Sequence, residues 1–233
     1  MNSWDLIKTG RFAEAVELLT EELQKQAAPY LYNNRGIAYL NMRQLDHAME
    51  DFMAAEKANV TRGDSNRLHI GAVQWIQGLE TEAVHTWEDV VRDLDSGIIV
   101  YTDAAGGVEG PALLWFAGTR LDQAELCKTA TKSLRRTLLS KRAATWPGVI
   151  GQLVLGRAVP SDVEAAVSHV PILRERQLCQ AEFYIGWSAF QDGRYEDCRQ
   201  ALSRSAQLGA ALLEKELYLA RHELSRLETE RLE

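Results

Sequence analysis

Residues 32–58 read YNNRGIAYLNMRQLDHAMEDFMAAEKA, and small and large side chains alternate along them at two helical spacings. Tyr32, Gly36 and Tyr39 step by four and then three residues, and so do Ala48, Phe52 and Ala55. Residues so spaced share one helix face. The stretch therefore predicts two helices in close contact, with glycine or alanine where the backbones touch and aromatic knobs filling the gap between them.

The pattern resembles one tetratricopeptide repeat. In that register Tyr32 stands at position 4, Gly36 at 8, Tyr39 at 11, Ala48 at 20, Phe52 at 24 and Ala55 at 27. Arg35 falls at position 7, ordinarily aliphatic, and needs an acid on the second helix such as Asp51; Val60 stands where a proline often closes a repeat. Working outward, residues 4–22 give a truncated first unit, with Leu6, Gly10, Ala15 and Leu19 in the roles of positions 11, 15, 20 and 24. A third unit runs from Asp64 to about Asp95, with Ile70, Gly71, Gly78, Ala83 and Trp87 at positions 7, 8, 15, 20 and 24. Gly36 to Gly71 and Ala48 to Ala83 are equal steps, close to the repeat period of roughly 34 residues.

The register breaks over residues 95–111, DSGIIVYTDAAGGVEGP, where glycines and a proline interrupt any helix around the apolar run Ile98 to Tyr101. Two degenerate helix pairs follow. The first comprises Pro111 to Thr119 and Leu121 to about Ser140, with Ala124 in the position-20 role; the second comprises Gly148 to Arg157 and a helix capped by Ser161 with Glu164 three residues on. From Arg174 to Ser205 the repeat returns, with Ile185, Gly186, Ala189, Gly193, Cys198 and Leu202 at positions 7, 8, 11, 15, 20 and 24. Residues 209–233 read as a capping helix, apolar on one face and charged on the other. The expected fold is an all-α superhelix, one continuous solenoid of about five to six helix pairs with a C-terminal cap. Its parts are N-terminal repeats over 1–95, an irregular connection over 96–111, degenerate pairs over 112–170, and a C-terminal repeat with its cap over 171–233.

Within residues 144–225, ATWPGVIGQLVLGR, RERQLCQAEFYIGWSAFQDGRYEDCRQAL and EKELYLARHEL are similar to the C-terminal part of NlpI-like bacterial repeat proteins. Members of that group are adaptors that present partner proteins to one another. The resemblance implies a helical-repeat architecture and an adaptor role.

Composition agrees with a helical protein. The 233 residues are 46% hydrophobic with only five prolines, which leaves room for long helices around a core. No apolar run reaches the roughly 18 residues of a membrane helix, and the opening MNSWDLIKTGRF contains no apolar signal core, so a cytoplasmic chain is expected. Cys127, Cys179 and Cys198 match no zinc spacing and read as reduced core thiols. There is no nucleophile elbow, zinc-binding helix, phosphate loop or redox cysteine pair. His47, His69, His85, His169 and His222 lie singly on different predicted helices. Neither catalysis, cofactor, metal nor small-molecule substrate is expected.

Binding is the remaining class. In a tetratricopeptide array positions 2, 5, 6, 9, 12 and 13 face the concave groove. The resemblance places there Asn33, Asn34, Ile37 and Asn41 of the second unit; Ser65, His69 and Trp75 of the third; and Gln180, Phe183, Tyr184 and Trp187 of the late repeat. Amides can hold a peptide backbone, and aromatics give large contact area at low entropic cost. Against this stands packing of Trp75, Phe183 and Trp187 on neighbouring helices. Asn34 matches one member of the carboxylate clamp of chaperone-binding repeats, but the matching lysines and arginine are absent.

Charge supplies a second candidate. The chain carries a net −7, yet Leu126 to Ser161 contains Lys128, Lys132, Arg135, Arg136, Lys141, Arg142 and Arg157 and no acid. Setting these seven apart from the 26 basic residues leaves 19 against 33 acidic ones elsewhere. Lys128, Lys132, Arg135 and Arg136 share a helix face, suited to an acidic partner, a phosphate-bearing ligand or an acidic surface of the same chain. An acidic protein with one basic stripe is a poor nucleic-acid binder. The sequence thus predicts a scaffold or adaptor binding a protein or peptide, with a toxin-neutralising immunity protein as the alternative.

Overall fold

The computed structural model describes residues 2–58, 66–99 and 107–230. Val60, Ser65, Tyr101 and residues 231–233 of the readings above lie outside them, as does the side chain of Arg142. The described residues contain thirteen α-helices and no strand. They are Ser3–Lys8 (α1), Phe12–Lys25 (α2), Pro29–Asn41 (α3), Leu45–Ala58 (α4), Asn66–Ile76 (α5), Glu80–Asp95 (α6), Glu109–Arg120 (α7), Ala124–Thr137 (α8), Gly148–Val154 (α9), Pro160–Ala165 (α10), Pro171–Gln191 (α11), Tyr195–Ala206 (α12) and Lys215–Glu230 (α13). Taken in order these make six helix pairs and a terminal helix, within the expected number.

All six pairs close their first helix in the same way, the fifth at Gly156, with φ of 66° and the Arg157 N–H on the Gln152 carbonyl at 2.8 Å, and the other five run directly on into the second helix. Gly10, Arg43, Gly78, Asp122 and Gly193 have φ of 75°, 59°, 79°, 53° and 75°, the left-handed region in which glycine is unstrained. In each case the next residue donates its N–H to a carbonyl five residues back: Arg11 to Leu6, Gln44 to Tyr39, Leu79 to Gln74, Gln123 to Gly118 and Arg194 to Ala189, all at 2.8–2.9 Å. This is the Schellman closure of a helix C-terminus. The following helix starts two residues after the left-handed one, and a small residue arrives three residues later still: Ala15, Ala48, Ala83, Cys127 and Cys198. The position-20 role in the fourth pair therefore belongs to Cys127, and Ala124 is the exposed first residue of α8. A cysteine is small enough to serve there.

The chain divides into two compact units, Met1–Thr86 and Trp87–Glu233, with the division inside α6. In the first, each of α1 to α4 packs on the next, and α4 packs on α5. Close approach at the centre of the quoted stretch is real: a Cβ on Gly36 would lie 2.9 Å from the Phe52 ring. Arg35 meets Asp51 as expected, with Nε to Oδ2 at 2.8 Å and Nη2 to Oδ1 at 2.7 Å, and its Nη1 donates to Thr20 of α2 at 2.9 Å.

The second unit is arranged around α7 and α11. Every residue from Gly110 to Gly118 of α7 is buried, as befits a helix apolar on all sides. α7, α9, α10, α12 and α13 each pack on α11. Trp87, Phe116, Phe183 and Trp187 form its aromatic centre, with Phe116 at 6.2, 5.0 and 4.8 Å from the other three rings in that order. α10 differs from expectation at its start. Val159 is the cap residue and its N–H donates to Asp162 at 2.9 Å, so Ser161 lies within the first turn.

Candidate functional site

The structure divides the sequence-predicted site residues into three groups. Ile37, Trp75, Phe183 and Trp187 are fully buried and Tyr184 is 1% exposed. An open groove lined by these aromatics is therefore corrected: they are core. The reason in the second unit is α7, whose Phe116 ring packs against Phe183 and Trp187. The all-round apolar run PALLWFAG at 111–118 was the signal that another helix would cover the α11 aromatics.

A second group is half-buried and polar. Asn41 Nδ2 donates to the Ile37 carbonyl of its own helix at 2.9 Å. His69 stacks on Phe52 with ring centroids 4.9 Å apart. Asn33 and Asn34 are half-buried on α3, and Asn33 Oδ1 is enclosed without a hydrogen-bond partner among the described residues.

The third group is exposed. Lys132, Arg135 and Arg136 of α8 face solvent together with Lys128. Lys128 Nζ lies 2.6 Å from Glu125 of its own helix, and both side chains remain at least 70% exposed. Arg136 Nη1 approaches Asp95 at 3.6 Å yet is 60% exposed. Lys132 and Arg135 make no ion pair with a described residue. The buried side of the helix explains its orientation: Leu126, Ala130, Ser133 and Leu134 face inward, and the Ser133 hydroxyl donates to Asp95 at 3.0 Å. Just past the helix, Leu139 is 86% exposed, the largest exposure among the large apolar side chains of the described residues. Leucine at that point carried no sequence signal of exposure.

Sequence reading missed a buried ionic cluster in the second unit. Lys215 Nζ is 3.0 Å from Glu109 Oε2 and 3.8 Å from Glu216 Oε2, and Tyr184 donates its phenolic proton to Glu216 Oε1 at 3.2 Å. Gln180 joins it, donating to Glu109 Oε1 at 3.0 Å and accepting from the Trp146 indole at 2.7 Å. Arg176 pairs with Glu214 beside it. Burial lifts the Glu216 carboxyl to about 7, the Lys215 ammonium opposing and the Glu109 and Glu214 charges adding to the rise. Burial likewise raises Glu214 and Tyr184. Around Lys215 burial acts against the charge, but Glu109, Glu216 and Glu214 outweigh it and hold the ammonium protonated. With Lys215 and Glu216 at most 3% exposed and Tyr184 at 1%, the cluster fastens α13 to α7 and α11. The signal was Glu214-Lys215-Glu216 set between Leu212-Leu213 and Leu217-Tyr218-Leu219, charges inside an apolar run.

Cys179 and Cys198 are buried and Cys127 is half-buried, all three free. Burial pushes Cys198 up to about 12 and raises the other two, the reverse of what a reactive thiolate needs. Among the described residues no group of three or more His, Cys, Asp and Glu could hold a metal ion, and no helix is long and apolar enough to cross a membrane.

No family model matches the chain, and no curated protein matches it. Among solved structures, the C-terminal part of a TPR repeat-containing protein from Cytophaga hutchinsonii is similar at 16% identity and a TM-score of 0.40, over 98% of this chain and 87% of that one. The helix pairs and their shared turn, rather than that likeness, define the fold described above.

Proposed function

We propose that this chain is a non-enzymatic protein-interaction module, an adaptor of the kind suggested by the NlpI-like sequence resemblance, and that it binds a partner protein chiefly through the basic face of α8. The observation that supports this most is the exposure of Lys128, Lys132, Arg135 and Arg136 on one rigid helix, in a segment of 36 residues, 126–161, without an acid. Charges held on a regular element keep a fixed spacing, and complementary charge speeds and orients docking. Asn33 and Asn34, half-buried polar side chains on α3, form a second, smaller contact. A cytoplasmic setting is part of the same reading.

Capture of partners from the native cell by the tagged protein tests it, beside Lys132→Glu/Arg135→Glu/Arg136→Glu. These side chains are exposed, so the variant should fold as the wild type does by circular dichroism while losing its partners. Several partners of about micromolar strength support an adaptor, whereas one partner at about nanomolar or below indicates the neutralising role of an immunity protein. Unchanged capture by the variant refutes the α8 surface.

A further inference from the structure

The basic face of α8 has an apolar terminus. At about 100° per residue, Lys128, Lys132, Arg135 and Arg136 fall within an arc of about 100°, and Leu139 follows in the turn just past the last helical residue, Thr137. From Lys128 to Arg136 the stripe is about 12 Å long at 1.5 Å per residue. Of its four cations, two have no ion pair among the described residues, one pairs only within its own helix and one reaches Asp95 at 3.6 Å. Leu139, at its end, is 86% exposed.

Resting on the reading of α8 as the contact surface, we infer that its occupant is an acid-rich linear segment of a partner protein, carrying three or four carboxylates followed by one apolar side chain that covers Leu139. The carboxylates match the spacing of cations on consecutive turns, and charge-assisted hydrogen bonds to Arg135 and Arg136 fix the segment's register. The apolar residue closes one end and sets direction, because an all-acidic strand could lie on the stripe either way round. A lipid surface is disfavoured by charge: outside residues 126–161 the chain carries 19 basic against 33 acidic residues, which an anionic bilayer would repel over its whole face. A peptide needs to approach the stripe alone.

The test uses the full chain and a fluorescein-labelled glutamate-rich peptide with one leucine near its end, read by anisotropy, beside the same peptide with that leucine changed to serine. The leucine peptide should bind the wild type, weaken by more than about a hundredfold with Lys132→Glu/Arg135→Glu/Arg136→Glu, and weaken by about tenfold with Leu139→Ser. The serine peptide should bind about tenfold less well and be indifferent to Leu139→Ser, the coupling expected of two groups in contact. Raising the salt concentration should weaken both peptides.

Equal binding of the leucine peptide to wild type and charge-reversed protein overturns the proposal. So does stronger recruitment of the wild type to phosphatidylserine vesicles than to the peptide, or a low-salt dimer by sedimentation that charge reversal dissolves, since the occupant is then a membrane or a second copy. If capture from cells depends on α8 while the peptide does not bind, the α8 reading stands and the acidic segment falls. If neither depends on α8, both fall.

Discussion

Arg35 of α3 and Asp51 of α4, sixteen residues apart in sequence, hold each other through two parallel hydrogen bonds of 2.8 and 2.7 Å. The geometry is the bidentate fork that guanidinium and carboxylate favour. The side chains are 18% and 5% exposed, and Thr20 accepts a third guanidinium bond. The Asp51 hydrogen bond, against the cost of burial, holds Arg35 above its ordinary pKa. Removing one partner leaves the other charge nearly enclosed. Asp51→Ala should therefore cost about 3 kcal/mol in urea unfolding, and Arg35→Leu/Asp51→Leu less than the two single changes together. Additive losses would mean that the two side chains act independently.

Gly36→Ala should destabilise by about 1–3 kcal/mol, because the new methyl would sit 2.9 Å from the Phe52 ring in a packed interior. Adding Phe52→Leu should recover part of the loss. A full loss in the double variant would place the strain elsewhere.

Phe183→Ala and Trp187→Ala should each cost about 3–5 kcal/mol in thermal or urea unfolding. Both rings are fully buried against Phe116. Had they lined an open groove, truncation would leave stability within about 0.5 kcal/mol and touch binding alone. A binding assay on these variants reports folding, so the α8 substitutions are the proper probes of the surface.

Glu216 makes stability depend on pH. Its folded pKa of about 7 is above the ordinary 4.5, so between those values the folded chain holds a proton that the unfolded chain releases. The contribution of Glu216 to stability should accordingly be full below pH 4.5, fall as pH rises from there through 7, by about 3 kcal/mol in all at 1.36 kcal/mol per pKa unit, and change little above that. Glu216→Gln, which keeps the acceptor for Tyr184, should flatten that dependence and stabilise the chain at pH 8. A pH profile unchanged by Glu216→Gln would show that Glu216 ionises without cost where it lies.

Glycine, alanine and aromatic spacing made the helix pairs readable, since local contacts between successive helices depend on residues close in sequence. The Arg35–Asp51 pair was legible for the same reason: both lie within one hairpin, and a charge at a normally aliphatic position demands a nearby acid. Ala124 was assigned wrongly because the turn there has Asp122 where four others have glycine, and a left-handed aspartate leaves no mark in a search for glycine.

Exposure was legible on α8 and burial illegible on α11. A face of four cations in a segment without acids cannot be buried by apolar neighbours, so its exposure followed from composition. Phe183, Tyr184 and Trp187 suit a groove and a core equally well. Only the tertiary structure decided between them, by placing α7 against Phe183 and Trp187 and bringing Glu216 to the Tyr184 hydroxyl. Periodicity therefore determined the helices, their pairing and the basic face. Which apolar faces are covered was decided by partners distant in the chain, because burial is a property of what packs on a residue and not of the residue itself.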